Sequence, residues 1–232
     1  MLKSRRAIVV ASTLSALALL AGCATEPSQT TADPAARATI AAGTEGAVNF
    51  EGGYLQIGSG PKAVDIYLDP MCPYCRLFEE KSGPMLFNAA NNGDATIRIH
   101  PVAILDRLSR GTAYSTRAAA LLTAVAAKYP RKTEEFVQDI YAYQPSEGTA
   151  GLTDNQLRDI ARHAGISVPE QLDAAQYRMW VKQSTARAMA GPLPTTSQLP
   201  AIRTVPTVVV DGNVFPGSST QTAAFARFYL SH

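Results

Sequence analysis

The chain has 232 residues, of which 46% are apolar and 17% are charged, and it carries 21 basic against 19 acidic side chains. This composition supplies a core for one large or two small domains, and its three cysteines are too few for a disulfide scaffold. The nearly balanced charge gives no sign of a nucleic-acid partner.

The N-terminus has the pattern of an export signal. Three basic residues, Lys3, Arg5 and Arg6, precede an uncharged apolar stretch, residues 7–20, that is too short to span a bilayer comfortably. Leu20-Ala21-Gly22-Cys23 comes next and closely resembles the bacterial lipobox, in which cleavage leaves the cysteine as a lipidated first residue. A plain signal peptide with an incidental cysteine is the alternative, and the sequence does not distinguish Sec from Tat export.

These features predict a lipoprotein signal peptide over residues 1–22 and an acyl group such as palmitate on Cys23. The protein is then extracytoplasmic and lipid-anchored to the bacterial cell membrane, where disulfides persist. Residues 23–48 are rich in Ala, Thr, Pro and Ser and hold few large apolar residues, so we predict a flexible tether. A loosely packed helix around residues 34–42 is the alternative.

Strand and helix patterns begin after the tether. Residues 52–58 and 62–69 predict a hairpin or two adjacent strands. The residues of the second strand alternate between its two faces. Val64, Ile66 and Leu68 lie on one face, and Asp65, Tyr67 and Asp69 lie on the other. A helix is predicted from Pro73, and Gly83-Pro84 should kink or interrupt it. Residues 95–105 predict the next strand.

The second half of the chain changes from helices back to strands. Residues 110–191 carry helical spacing with several start and stop signals, and predict an inserted block of three to five helices. Two strands joined at Asp211-Gly212-Asn213 and a final helix over about 219–230 follow. Without the helical insertion, residues 49–109 and 192–232 form one small α/β domain.

Cys72 and Cys75 stand where the predicted strand gives way to the helix. The helix N-terminus favours a thiolate at Cys72 and should lower the pKa of its thiol. Cys75 lies one turn deeper, so Cys72 exchanges with substrate and Cys75 resolves the mixed disulfide. A CxxC pair beside a βαβ pattern is an established indication of thioredoxin-type redox chemistry. A zinc site needs about four ligands, and a structural disulfide would close a very short loop, so both are weaker alternatives.

The segment "VDIYLDPMCPYCRLFEE" and the distant "TVPTVVVDG", with helices between them, resemble the DsbA-like branch of the thioredoxin superfamily. The resemblance covers about residues 50–232 and implies a thioredoxin fold with an inserted helical domain. It further implies a cis peptide bond at Val205-Pro206, a substrate-binding role for that loop, and redox chemistry at Cys72 and Cys75 without a further cofactor. The active-site dipeptide Pro73-Tyr74 departs from the strong oxidases, where histidine is common at the second position.

Several residues around the cysteines are weaker candidates. Asp69 and Glu79 flank the pair, and Asp65 lies on the strand before it, so any of the three could belong to a proton relay. More often such carboxylates belong to a solvated face. Met71 and Tyr74 are expected to contact substrate as exposed apolar side chains.

The resemblance implies an oxidase that takes electrons from reduced exported proteins and is re-oxidised by a membrane partner linked to quinone. Two alternatives remain open at this point. The same pair could work as a reductase of exported thiols, for instance in cytochrome maturation, or the domain could be a tethered peptide-binding or chaperone module. The reduction potential separates the first two.

Overall fold

The computed structural model describes residues 40–167 and 175–232. The predicted signal peptide, the lipidation site Cys23 and the tether up to residue 39 lie outside the described residues. Among the residues described, no helix is both long enough and apolar enough to cross a bilayer.

A seven-stranded sheet organises the domain, in the order β1-β2-β3-β5-β4-β6-β7. Only the central β4 and β5 are parallel, and every other neighbouring pair is antiparallel. This mixed sheet agrees with the predicted α/β class. The strands are β1 Thr44–Glu45, β2 Val48–Asn49, β3 Tyr54–Ile57, β4 Lys62–Leu68, β5 Ala95–Pro101, β6 Thr207–Val210 and β7 Asn213–Val214.

The predicted adjacency of β3 and β4 is wrong, because β5 lies between them. The link between the two strands crosses the start of β5. There the Gly60 N–H donates to the Ala95 carbonyl at 3.0 Å and the Thr96 hydroxyl donates to the Gly60 carbonyl at 2.7 Å. A side chain at Gly60 would collide with this backbone, since its Cβ would stand 2.2 Å from the Ala95 nitrogen. The glycine therefore lets the chain pass under β5.

The sheet also begins earlier than the sequence predicts. β1 and the first residue of β2, Val48, fall within residues 23–48, which the sequence assigns to the tether. They are fixed to the helical insertion, since the Ala47 N–H donates to the Ala126 carbonyl at 2.9 Å. Gly46, at a φ of 55°, approaches the same helix so closely that a Cβ would lie 2.2 Å from the Ala127 carbonyl oxygen. Residues 44–48 therefore belong to the folded domain and not to the predicted tether.

Six helices complete the described part of the chain, together with short 3-10 turns at Ile104–Leu108 and Pro130–Lys132. Four of them, α2 to α5, lie between β5 and β6, where the sequence places the insertion. The first helix continues through Pro84 instead of stopping there. The helices are α1 Pro73–Asn91, α2 Tyr114–Lys128, α3 Thr133–Ala142, α4 Asp154–His163, α5 Ala175–Ala190 and α6 Thr222–Ser231.

The two faces of β4 contact different parts of the core. Val64, Ile66 and Leu68 belong to the large apolar cluster that includes Phe78 of α1 and Phe225 of α6. The alternate residue Tyr67 belongs to a smaller cluster with residues of α5 and the loop after it. Alternation along the strand thus places a different helix on each side of the sheet.

Candidate active site

The turn between β4 and α1 presents the cysteine pair. β4 ends at Leu68, and Cys72 is the N-cap of α1, with Pro73 at the first helical position. Proline suits that position, where the backbone N–H has no partner within the helix. The Cys72 N–H donates to the Asp69 carbonyl at 3.0 Å, and the Cys72 carbonyl accepts from the Cys75 N–H at 3.0 Å. The turn thus delivers Cys72 to the helix N-terminus, as predicted.

Asp69 anchors this turn from inside. Its carboxyl group is buried and accepts from the Met71 N–H at 2.8 Å, the Leu105 N–H at 2.8 Å and the Ser115 hydroxyl at 2.6 Å. Burial raises the pKa of Asp69 to about 6, although the hydrogen bond from Ser115 and those from the two backbone N–H groups oppose the rise. With both carboxyl oxygens occupied, Asp69 holds the turn together.

Met71 is not the exposed substrate contact that the sequence suggests, since none of it is exposed. Its N–H is held by the Asp69 carboxyl group, and this local turn directs the side chain into the main apolar cluster. Tyr74, the other expected contact, is 63% exposed and remains available.

The two sulfurs are both free thiols with different surroundings. A hydrogen bond with the Cys75 thiol, opposed by burial, lowers the pKa of Cys72, and backbone N–H groups of the first helical turn add to the effect. Burial raises the pKa of Cys75 well above its ordinary value. Cys72 is only 3% exposed against 0% for Cys75, so the pair differs in electrostatics more than in exposure.

The loop before β6 lies directly against Cys72. The Val205-Pro206 peptide bond is cis, as expected, and the Cys72 thiol donates to the Val205 carbonyl at 3.4 Å. A groove of about 170 Å³ opens beside this contact. Its walls are mostly apolar and aromatic, formed by Tyr74, Phe78, Val205, Pro206, Val208, Phe215 and residues 217–219.

Glu79 does not lie on the solvated face of α1 as the sequence suggests. It is 5% exposed, and its Oε1 is buried without a hydrogen-bond partner among the described residues. The carboxyl group lies over Gly83, where a Cβ would stand 2.5 Å from Oε1. Burial, with a contribution from nearby Glu134, raises the pKa of Glu79 to about 8, so at neutral pH this carboxyl group holds a proton.

Asp65 is buried too, but it is not brought together with the cysteines. One carboxyl oxygen lies 2.8 Å from His100 Nε2, and the other lies 3.7 Å from the Arg98 guanidinium. The His100 ring stacks on Tyr67 with 4.2 Å between ring centroids. These residues come from β4 and β5 and lie on the face of the sheet opposite Ile66, where the Asp65 side chain contacts its polar partners.

One functional candidate, Gln144, gave no signal in the sequence. It follows α3, and its Nε2 donates to the Pro70 carbonyl at 2.9 Å and to the Cys72 carbonyl at 3.0 Å. A lone glutamine 72 residues from Cys72 carries no motif, so only the folded structure reveals the contact.

In the described residues no group of three or more His, Cys, Asp or Glu side chains is placed to hold a metal ion.

Comparison with known proteins gives consistent matches. The sequence model of a family described as thioredoxin matches residues 57–226. Oxidised DsbA from Mycobacterium tuberculosis superposes with a TM-score of 0.63 at 26% identity, covering 77% of this chain and 91% of that one. Reduced DsbG from the same organism gives 0.62 at 25% identity, covering 78% and 87%.

A curated relative, the serine/threonine-protein kinase PknE of Mycobacterium tuberculosis, is 29% identical over 119 residues. That match covers 50% of this chain but only 21% of the kinase. The chain thus spans about a fifth of that relative's length.

Proposed function

Because this chain belongs to the thioredoxin family and is a DsbA-like thiol-disulfide oxidoreductase, we propose that it oxidises the cysteines of exported proteins. The reaction runs through a disulfide between Cys72 and Cys75. The observation that carries the proposal is the 3.4 Å contact between the Cys72 thiol and the Val205 carbonyl beside the apolar groove. An extended client peptide in that groove brings its own sulfur to Cys72.

The reaction proceeds in two exchanges. A client thiolate attacks the Cys72 sulfur, the Cys72–Cys75 bond breaks, and Cys75 leaves as a thiolate that takes up a proton. A second client thiolate then attacks the client sulfur of the mixed disulfide, and Cys72 leaves as a thiolate. The client gains a disulfide, and two electrons remain on the Cys72–Cys75 dithiol. The raised pKa of Cys75 and the lowered pKa of Cys72 suit these two roles.

Glu79 is the proposed proton store for Cys75. The two residues are one helical turn apart on the buried face of α1. The carboxyl group lies over Gly83, on the side away from Cys75, so a proton passes between them through a bridging hydroxyl or water. Tyr141 is a buried hydroxyl in this region, and its pKa is raised by burial and then by Cys75, Asp69 and Glu79. Asp69 is less suited, because its carboxyl oxygens are already bonded.

The lowered pKa of Cys72 supports the oxidising direction. A stabilised Cys72 thiolate favours the dithiol form over the disulfide, and a protein whose reduced form is stabilised is a stronger oxidant. Cycling then needs a partner that takes the two electrons, which we propose to be a membrane protein linked to quinone. The lipobox resemblance at Cys23 supports an extracytoplasmic, lipid-anchored location, which membrane fractionation of Cys23→Ser would test.

The reduction potential of the Cys72–Cys75 couple tests the direction. We expect a value well above the roughly −270 mV of a thioredoxin, together with transfer of the disulfide to a reduced, unfolded protein. A potential as low as that of thioredoxin would overturn the oxidase proposal and favour the reductase.

Replacing the sulfurs separates redox chemistry from peptide binding. Cys72→Ser should abolish exchange and leave the fold intact, because serine keeps the size of the side chain without its nucleophile. If Cys72→Ser combined with Cys75→Ser kept full biological activity, the protein would be a binding or chaperone module instead.

A further inference from the structure

A side chain from the helical insertion reaches the turn that carries Cys72. Gln144 is held at the end of α3, where its backbone N–H donates to the Tyr141 carbonyl at 3.2 Å. Its Nε2 donates to the carbonyls of Pro70 at 2.9 Å and Cys72 at 3.0 Å. A primary amide has two N–H donors, and here the same nitrogen serves two carbonyls, on either side of Met71.

Asp69 and Gln144 hold opposite groups of this turn. Asp69 binds two N–H groups of the turn. Its carboxyl group accepts from the Met71 N–H, and its backbone carbonyl accepts from the Cys72 N–H. Gln144 donates to carbonyls of the turn. Asp69 belongs to the thioredoxin-like domain, whereas Gln144 belongs to the insertion, so the turn is held between two parts of the chain.

The contact also bears on the charge near the sulfur. A carbonyl oxygen carries partial negative charge, and two of them, on Pro70 and Cys72, stand in the turn that leads to the Cys72 thiol. Uncompensated, they disfavour a thiolate there, whereas N–H donors that bond to them offset that charge. The Cys72 carbonyl also accepts from the Cys75 and Arg76 N–H groups, but Gln144 is the side chain that bonds to both carbonyls.

We propose that Gln144 is a positioning residue for Cys72, through which the helical insertion holds the active-site turn in the geometry for thiol exchange. The proposal rests on the proposed function, because it assigns the insertion a part in the same redox centre. Gln144 itself touches backbone oxygens and takes no part in bond making.

The test is the pH dependence of Cys72 alkylation in the full-length reduced protein, followed by mass spectrometry of the Cys72 peptide. Fragmentation of the peptide that holds both Cys72 and Cys75 assigns the label to one of the two sulfurs, and Cys23 lies in a different peptide. Gln144→Leu keeps most of the side-chain volume and removes both donors. We expect its alkylation rate at pH 6 to fall about threefold to tenfold, the size of one or two lost hydrogen bonds. The reduction potential should fall by the equivalent, about 15–30 mV.

Gln138→Leu is the matched control, because Gln138 is an exposed glutamine of α3. We expect its alkylation profile to equal that of the wild type. Gln144→Glu, which sets an acceptor against the two carbonyls, should shift the profile in the same direction as Gln144→Leu and further, and it carries the test alone if Gln144→Leu does not fold.

A folded Gln144→Leu with the wild-type profile and potential would overturn the proposal, as would an equal shift in Gln138→Leu. Failure of the proposed function looks different. In that case the wild-type protein would not exchange disulfides with a reduced client, while alkylation of Cys72, which needs no client, would still report on Gln144.

Discussion

The two faces of the central sheet each bury a carboxyl group, and the two groups differ in the polar partners around them. On one face Asp65 lies 2.8 Å from His100 and 3.7 Å from Arg98, so each of its oxygens has a polar partner. On the other, Glu79 of α1 keeps a buried oxygen without a hydrogen-bond partner among the described residues. Both residues are about equally buried, at 4% and 5% exposure, so the difference lies in their partners and not in their depth.

This contrast separates a structural acid from one suited to handle a proton. A buried carboxyl group with close polar partners holds those partners in place. A buried carboxyl group without them becomes neutral, because desolvation penalises its charged form. Glu79, with its pKa raised to about 8, can therefore release or take a proton near neutral pH. Asp65 and Glu79 were equivalent candidates in the sequence, and their surroundings assign them different roles.

The largest expected effect on stability comes from removing the Asp65 carboxyl group. Asp65→Ala leaves the buried His100 ring and the partly exposed Arg98 guanidinium without their carboxyl partner, and a buried polar group that loses its partner destabilises the fold. We expect the free energy of unfolding to fall by about 3 kcal/mol in urea denaturation. The alkylation rate of Cys72 should stay unchanged, because Asp65 is not part of the cysteine site.

Asp65→Asn is the control for this variant, since it keeps an acceptor for the His100 ring and loses only the charge. It should cost less than Asp65→Ala. A loss below about 1 kcal/mol in Asp65→Ala would mean that these contacts contribute little and that the two faces do not differ as described.

Glu79→Gln, on the other face of the sheet, should raise the free energy of unfolding by an amount that depends on pH. Unfolded, the carboxyl group titrates near 4.5, and folded it titrates near 8. Between these values the folded state binds a proton that the unfolded state has released, so wild-type stability falls as the pH rises through this window. Glutamine does not ionise and escapes the loss. We expect the variant to be more stable than the wild type by about 2–3 kcal/mol at pH 6.5, two pH units into this window, and equal to it at pH 4.

Denaturation in urea at several pH values measures this difference. Equal pH slopes for Glu79→Gln and the wild type would show that Glu79 is ionised in the folded protein and holds no proton in reserve. Slower release of Cys75 in the variant, at unchanged alkylation of Cys72, would connect that proton to the exchange reaction.

The sequence predicts the parts of the site that depend on local pattern. The CxxC pair at a helix start, the helical insertion and the loop at Val205-Pro206 all follow from spacing and resemblance, and the structure contains each of them. The parts that depend on packing between distant segments do not follow. Examples are the burial of Met71, the Gln144 contact and the position of β5 between β3 and β4.

Glu79 shows why features that depend on packing between distant segments cannot be predicted from the sequence. In the sequence it stands beside Glu80 and Lys81, which indicates a solvated helix face. Glu80 is exposed and Glu79 is buried, because α3 packs along α1 and Glu134 stands close enough to raise the pKa of Glu79. No single-segment pattern contains that contact.

The smallest expected effect concerns Gly83, the residue that makes room for the Glu79 carboxyl group. Alanine in a helix interior is ordinarily better than glycine by up to about 1 kcal/mol. At this position a Cβ would stand 2.5 Å from Glu79 Oε1, so the carboxyl group must move. We expect Gly83→Ala to lose about 1 kcal/mol in the wild type and to gain about that much in a Glu79→Ala background. The double-mutant cycle in urea denaturation measures this coupling. If the effects of the two changes were additive, the Glu79 carboxyl group would not depend on the absence of a side chain at Gly83.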